Sequence, residues 1–411
     1  MLYSHNAEHN APEGRPLVMN KTRTPVVYLL AALTAFGPLS IDGYLPALPQ
    51  IAADLGASAA QVQGTIGSFL AGLCVGMLCY GPLSDRYGRR YLLLGGVCVY
   101  LAATIACALA GDADELTVFR FMQALGGSAA AVLARTMVRD LFPLDEAARI
   151  LSIMHLVTMI ATLVAPISGS LILRYFGWRG IFFVLFMLAL ICFFLSLFQL
   201  KESHEQNARS RSLLTAFMAY WQILKEPLAM AYIGCMGLAL GGMFAFVTAS
   251  SFVYTVHFSV SPTVYAILMG SNIFGIVIAT VLNARLVRRI GPRRMLGKGV
   301  LVIFLASLGL VYCALDRSVG LPMVVLCVMV YIGATGLFGA NCIASLMSLY
   351  PERAGAAAGL AISTQFALSA ICSAVTAHFD VFTPEPMCWV MVVVGAGACA
   401  CYGVIKRYSK C

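Results

Sequence analysis

The chain has 411 residues, of which 60% are apolar and 11% charged, with a mean hydropathy of +0.87 and a formal net charge of +9. Soluble domains carry about 25% charged residues, and a chain this apolar folded in water would expose far more nonpolar surface than a soluble monomer shows. The composition therefore excludes an array of soluble domains and indicates an integral membrane protein.

The first 24 residues are polar, with no short apolar core followed by a small-residue cleavage site, so the first apolar run reads as an uncleaved span. From there the charged residues punctuate the chain. Residues 55–84, 91–111, 150–173 and 180–200 contain no Asp, Glu, Lys or Arg, and 227–284 is a 58-residue uncharged run with room for two spans and a turn near Val260, Ser261 and Pro262. A helix needs about 20 apolar residues to cross roughly 30 Å of hydrocarbon. With the stretches around Asp42 and between Arg120 and Arg139, the pattern predicts twelve helices: α1 25–48, α2 61–80, α3 91–111, α4 116–140, α5 147–174, α6 179–200, α7 228–252, α8 263–286, α9 295–315, α10 319–349, α11 353–379 and α12 386–406. The runs are too long for outer-membrane strands of about ten alternating residues. The expected organisation is an all-α membrane protein: a tail (1–24), a six-helix half (25–200), a polar central loop (201–227), a second six-helix half (228–406) and a short tail (407–411).

Twelve spans place both tails and the even-numbered loops on one side of the membrane. That side holds 22 of the 27 basic residues, the opposite side three (Arg174, Arg179, Arg317), and two lie inside α4. By the positive-inside bias, tails and central loop are expected in the cytoplasm. The net charge then reflects topology and contact with anionic lipid, and nucleic-acid binding is not implied. The fourteen cysteines are scattered, with no CxxC pair, and read as small packing residues.

The halves repeat. GPLSDRYGRR (81–90), between α2 and α3, falls on ARLVRRIGPR (284–293), between α8 and α9, after a shift of 203 residues. Gly88 lands on Gly291, Arg86 on Arg289 and Arg90 on Arg293, while Asp85 lands on Arg288. Two six-helix halves with a basic loop at equivalent points describe a secondary transporter with its site between the halves near the midplane.

GPLSDRYGRR resembles the signature loop of the major facilitator superfamily. LTVFRFMQALGG (116–127) resembles the helix 4 motif of its proton-coupled members, and APISGS (165–170) the helix 5 motif of antiporters, with Ala165 and Ser170 where that motif usually has glycines. SIDGYLPALP (40–49) and PERAGAAAGL (351–360) resemble the Bcr/CflA group of bacterial multidrug efflux proteins, and the likeness runs from about residue 25 to 406. The resemblance implies a bacterial inner-membrane antiporter that exchanges protons for small drugs of bicyclomycin, phenicol or sulfonamide type by alternating access. It implies no cofactor. The alternative on the same fold is a proton-coupled carrier of a single metabolite or nutrient. One chain of twelve spans supplies a complete pathway, so a monomer is expected, and there is no GxxxxGK[ST] loop for ATP.

Of the 18 acids, Asp42 alone falls inside a predicted span. A charge there costs about 2.5–3.5 kcal/mol on the insertion scale and marks a functional position. Asp42 lies about 24 Å along α1 and Arg120 about 6 Å into the antiparallel α4, at 1.5 Å per residue, so their depths match. Two roles stay open: a permanent ion pair with Arg120, or an acid that binds and yields a proton during transport. Gln123, one turn on, shares the face of Arg120. The expected substrate wall comprises Asp42, Tyr44 and Gln123 with Phe244, Phe246, Asn272, Phe338, Asn341 and Gln365 from the second half. His155 is alone, without partners at metal-ligand spacing, and no metal is expected. Pro38, after Gly37, is expected to interrupt α1, and Pro166 with Gly169 to interrupt α5. The resemblance assigns Gly81, Asp85, Arg86, Gly88, Arg89 and Arg90 to a latch that holds the halves together on the cytoplasmic side. Asp85 would sit at the start of α11, with Arg139 as its ion partner.

Overall fold

A computed structural model describes residues 24–203, 213–316, 318–379 and 382–408. The described residues are 90% helical and contain no strand. Among the described residues, eleven helices are long and apolar enough to cross a membrane. One of them, Leu144–Gln199, is 56 residues long, about 84 Å at 1.5 Å per residue, which is two crossings. Gly177 divides it with φ 68° and ψ −178°, a conformation that side chains other than glycine's disfavour. Residues 144–176 are thus α5 and 178–199 are α6, and the expected twelve spans are present.

The remaining spans are α1 (Pro25–Asp54), α2 (Ala59–Tyr87), α3 (Arg89–Leu109), α4 (Ala113–Leu141), α7 (Pro227–His257), α8 (Pro262–Ile290), α9 (Pro292–Leu315), α10 (Leu321–Leu349), α11 (Pro351–His378) and α12 (Glu385–Tyr408). Local chemistry explains many starts. Ser58 and Gln61 form a capping box on α2, the Asp112 carboxylate accepts from the Glu115 N–H at 2.8 Å on α4, and Pro227, Pro262 and Pro292 sit in the first turns of their helices. Gly88 (φ 98°) and Gly291 (φ 87°) make the same turn at equivalent points, so the sequence repeat is also a backbone repeat. Side chains such as Leu171, Phe198, Phe274 and Val393 are exposed, as lipid-facing surface should be.

Three elements depart from expectation. The central loop contains a helix, Leu213–Leu224, packed against α2, α7 and α11. Its Tyr220 and Ile223 are buried, and Gln222 accepts from Arg353. The proline effects differ in part too. α1 is broken twice, at Ala35 and at Gly43–Tyr44. The first break follows from Pro38, which has no N–H to offer the Thr34 carbonyl, as expected; the second follows in the same way from Pro46, which has none to offer the Asp42 carbonyl. Pro166, by contrast, lies inside helical backbone and does not interrupt α5. Gly169 does not kink α5 either: a Cβ there would collide with the Gly43 carbonyl oxygen, so the residue lets α5 touch the break in α1.

The two most extensive contacts between the halves are α2 with α11 and α5 with α8, related by the repeat. Ser363 Oγ donates to the Cys74 carbonyl at 3.1 Å, and Leu163 packs over Gly270. Away from the basic loops the halves share one buried core, with Tyr44, Leu48, Ile51 and Phe69 alongside Phe246, Tyr254 and Tyr265. Near the basic loops the first half has its own separate core, including Leu30, Leu93, Leu133, Met137 and Ile150. The buried core is thus continuous between the halves away from the basic loops and divided near them, where the Leu213–Leu224 helix packs against both halves.

Candidate functional site

Between the halves lies a cavity of about 370 Å³. Its first-half wall is one face of α1 (Thr34, Pro38, Ile41, Asp42), one stripe of α4 (Gly127, Ala131, Arg135) and Thr158, Thr162 and Pro166 of α5. Phe244, Phe246, Asn272, Gln365 and Phe366 stand on the second-half side. Of the expected substrate wall, Asp42, Phe244, Phe246, Asn272 and Gln365 line this space. Tyr44, Gln123, Phe338 and Asn341 do not. Tyr44 is packed among rings, its hydroxyl 3.0 Å from Thr65 Oγ1. Phe338 sits in a break of α10 against Gly299, and Asn341 Nδ2 donates to Asn283 Oδ1 at 2.8 Å, behind the wall.

The same geometry separates Asp42 from Arg120. Arg120 is fully buried. Its Nη2 donates to the Ser40 carbonyl at 3.0 Å and its Nη1 to Gln123 Oε1 at 2.6 Å. The Ser40 carbonyl is available because, at the break, the Tyr44 N–H turns to Ile41. The guanidinium also lies 4.2 Å from the Phe69 ring centroid and 4.5 Å from that of Tyr44, a cation–π arrangement. Gln123 Nε2 donates to Thr104 Oγ1 at 2.9 Å, and the Ser40 and Tyr100 hydroxyls meet at 2.7 Å. This cluster ties α1, α3 and α4 together, and it leaves out Asp42: among the described residues no ion pair joins Asp42 to Arg120. Asp42 ends the middle segment of α1, half-buried, and faces the cavity.

At the basic end, Asp85 pairs with Arg89 Nη1 at 2.6 Å, and Arg89 Nε reaches Asp140 Oδ2 at 3.1 Å. Arg89 also donates to Ser84 Oγ. Arg139, the expected ion partner of Asp85, is exposed, because the guanidinium next to Asp85 in space is the one brought round by the Gly88 turn. The Glu202 carboxylate accepts from the Arg89 N–H at 2.8 Å and the Arg90 N–H at 3.3 Å, which caps the start of α3 with negative charge. Arg90 Nη2 donates to the Leu197 carbonyl at 2.8 Å, and Arg86 lies over the Tyr87 ring. Gly81 is inside α2 with open space around it.

Residues 29–374 match the Major Facilitator Superfamily model. The chain belongs to the major facilitator superfamily. A bicyclomycin resistance protein homolog of Haemophilus influenzae is 32% identical over 393 residues, covering 95% of this chain and 97% of that one. An uncharacterized MFS-type transporter of Bacillus subtilis, YdgK, is 33% identical over 94% of this chain and 97% of its own. The multidrug resistance protein MdtL of Escherichia coli is 36% identical over 45% of this chain and 50% of its own. Among solved structures, a D-xylose-proton symporter superposes with TM-score 0.71 at 18% identity, over 94% of this chain and 97% of its own. The nucleoside transporter NupG superposes with TM-score 0.72 at 12% identity, over 94% and 99%. As a superfamily member the protein is a multi-pass membrane transporter of small molecules and not an enzyme.

Several cavity residues, among them Thr34, Thr158, Thr162, Phe366 and the charged Arg135, are not among the residues the sequence pointed to. Arg135 was legible only as the second basic residue inside α4. Its spacing of four and eight residues from Ala131 and Gly127 was the available signal, since that places all three on one face.

Proposed function

We propose that this major facilitator protein is a proton-coupled efflux antiporter of the bacterial inner membrane, with tails and basic end in the cytoplasm, exporting small drugs of bicyclomycin, phenicol or sulfonamide type. The observation that carries the reading is Asp42: an acid in a span, facing an apolar cavity between the halves, with Arg120 engaged elsewhere. Such an acid can exchange a proton with whatever occupies the cavity without first breaking a salt bridge. The resistance-protein names of the relatives support a drug as the occupant, and 22 basic residues on one side support the orientation. The core shared by the halves away from the basic end, and divided near it, supports this as the conformation that loads from the cytoplasm. The Asp85–Arg89–Asp140 cluster and the Leu213–Leu224 helix are then the parts that reset as the basic end closes. One proton moving down 100 mV supplies about 2.3 kcal/mol, or a roughly fifty-fold gradient of neutral drug at about 1.4 kcal/mol per decade.

Inside-out vesicles carrying the protein or Asp42→Asn test this directly. With an acidified lumen, drugs from the three classes are expected to discharge the pH gradient through the native protein and not through the variant. Equal discharge by both overturns the role of Asp42. No discharge by any drug overturns drug antiport, and metabolites become the next panel.

A further inference from the structure

The cavity has a second charged residue. Arg135 stands on α4 two turns, about 12 Å, from Gly127 on the same cavity-lining face. No hydrogen bond or ion pair among the described residues engages its guanidinium. Both neighbouring cations on α4 differ from it. Arg120 is bonded to a carbonyl and an amide and packed between rings. Arg139, one turn towards the basic end, is exposed, as a residue that merely sets topology should be.

Other polar groups share the lining with Arg135. Thr158 Oγ1 donates to Thr34 Oγ1 at 3.2 Å, so two cavity-lining hydroxyls meet near the same end. Asp42 lies two turns along α1 from Thr34, about 12 Å at 1.5 Å per residue. Across the cavity Asn272 is 4% exposed, and its Oδ1 has no hydrogen-bond partner among the described residues. A buried amide oxygen left unbonded loses its hydration with no return, which points to a donor supplied by a ligand. Apart from Thr162 and Gln365, the rest of the lining is apolar.

We propose that Arg135 and Asp42 are the two poles of a substrate site that takes amphiphilic zwitterions, the acid group held by the Arg135 guanidinium and the amine by the Asp42 carboxylate. The guanidinium offers a planar fork of N–H donors that meets a carboxylate with two parallel hydrogen bonds. An amine on Asp42 competes with a proton for the same carboxylate, which is the sign that exchange of drug for proton requires. Asn272 Oδ1 accepts from an N–H on the body of the ligand. The inference rests on the proposed function for one point, that the cavity binds what the protein moves; it does not require proton coupling.

Equilibrium binding to the purified full-length protein tests it, with a piperazinyl quinolone carboxylic acid, zwitterionic near neutral pH, and its ethyl ester, which keeps the amine and lacks the acid. The native protein is expected to bind the acid about tenfold tighter than the ester, the worth of one charge-assisted contact. Arg135→Gln should bring the acid down to the ester's affinity and leave the ester unchanged. Arg149→Gln, an exposed cation at the same end, should change neither. Arg135→Lys keeps charge without the fork and should narrow the preference to about threefold, which carries the test if the Gln variant does not fold. Asp42→Asn should weaken the acid against its N-acetylated derivative, which has no amine charge. An acid-to-ester ratio in Arg135→Gln equal to the native one overturns the proposal. So does a native protein that binds both compounds equally or neither. If the Arg135-dependent preference appears but no compound moves protons in vesicles, the zwitterion site stands and the antiport reading falls.

Discussion

Two polar regions within the spans, around Arg120 and in the cavity, are built on opposite principles. Around Arg120, the charge, the amide of Gln123, the hydroxyls of Ser40, Thr104 and Tyr100 and the carbonyl freed by the break in α1 all bond one another. In the cavity, Asp42 and Arg135 face open space and Asn272 keeps an unbonded oxygen. The first arrangement fixes helices; the second is available to a ligand. A charge inside a membrane span is therefore informative about function only once its partners are known. Gln63, buried on α2 with neither amide atom bonded among the described residues, fits neither description, and nothing in the structure explains it.

Substitutions that remove each region separately sharpen the contrast. Arg120→Met deletes two hydrogen bonds to a charged group, each worth about 1.5–3 kcal/mol, so it should produce the largest fall in the melting temperature of the detergent-solubilised protein. Gly169→Ala places a methyl on the Gly43 carbonyl and should destabilise by about 1–3 kcal/mol, as overpacking does. Thermal melting reads that loss, and in the vesicle assay the same variant should discharge the pH gradient more slowly, since α5 is displaced from the broken segment that carries Asp42. Asn341→Leu, behind the wall, should lose about 1 kcal/mol with its bond to Asn283 and leave drug binding intact. Asp42→Asn should shift stability by less than about 0.5 kcal/mol while abolishing proton discharge, and Asn272→Leu, which removes a buried unbonded oxygen, should leave stability equal or raised while weakening binding. Large destabilisation by Asp42→Asn would erase the distinction between the two regions.

Much of the fold was readable because charged residues bracket the apolar runs, and Gly88 and Gly291 announced the repeated turn. The Leu213–Leu224 helix escaped because twelve residues are too few for a span and basic residues surround it. Asp42 and Arg120 share a depth, and depth is what a residue count measures; rotation about the axis is not, and the break at Gly43 sets it. Phe338 and Asn341 were misplaced for the same reason, on a helix broken between Thr335 and Gly339. Arg135 was overlooked because basic residues were weighed for their side of the membrane and not for the face they occupy.

The one-residue connection at Gly177 also bears on how the protein moves. Arg179 donates to the Ala108 and Ala110 carbonyls, at 3.1 and 3.3 Å, so the turn is anchored to the end of α3. With a single residue between them, α5 and α6 have almost no freedom to separate, so they form one tight hairpin docked on the end of α3 and should move as a unit when the halves rock.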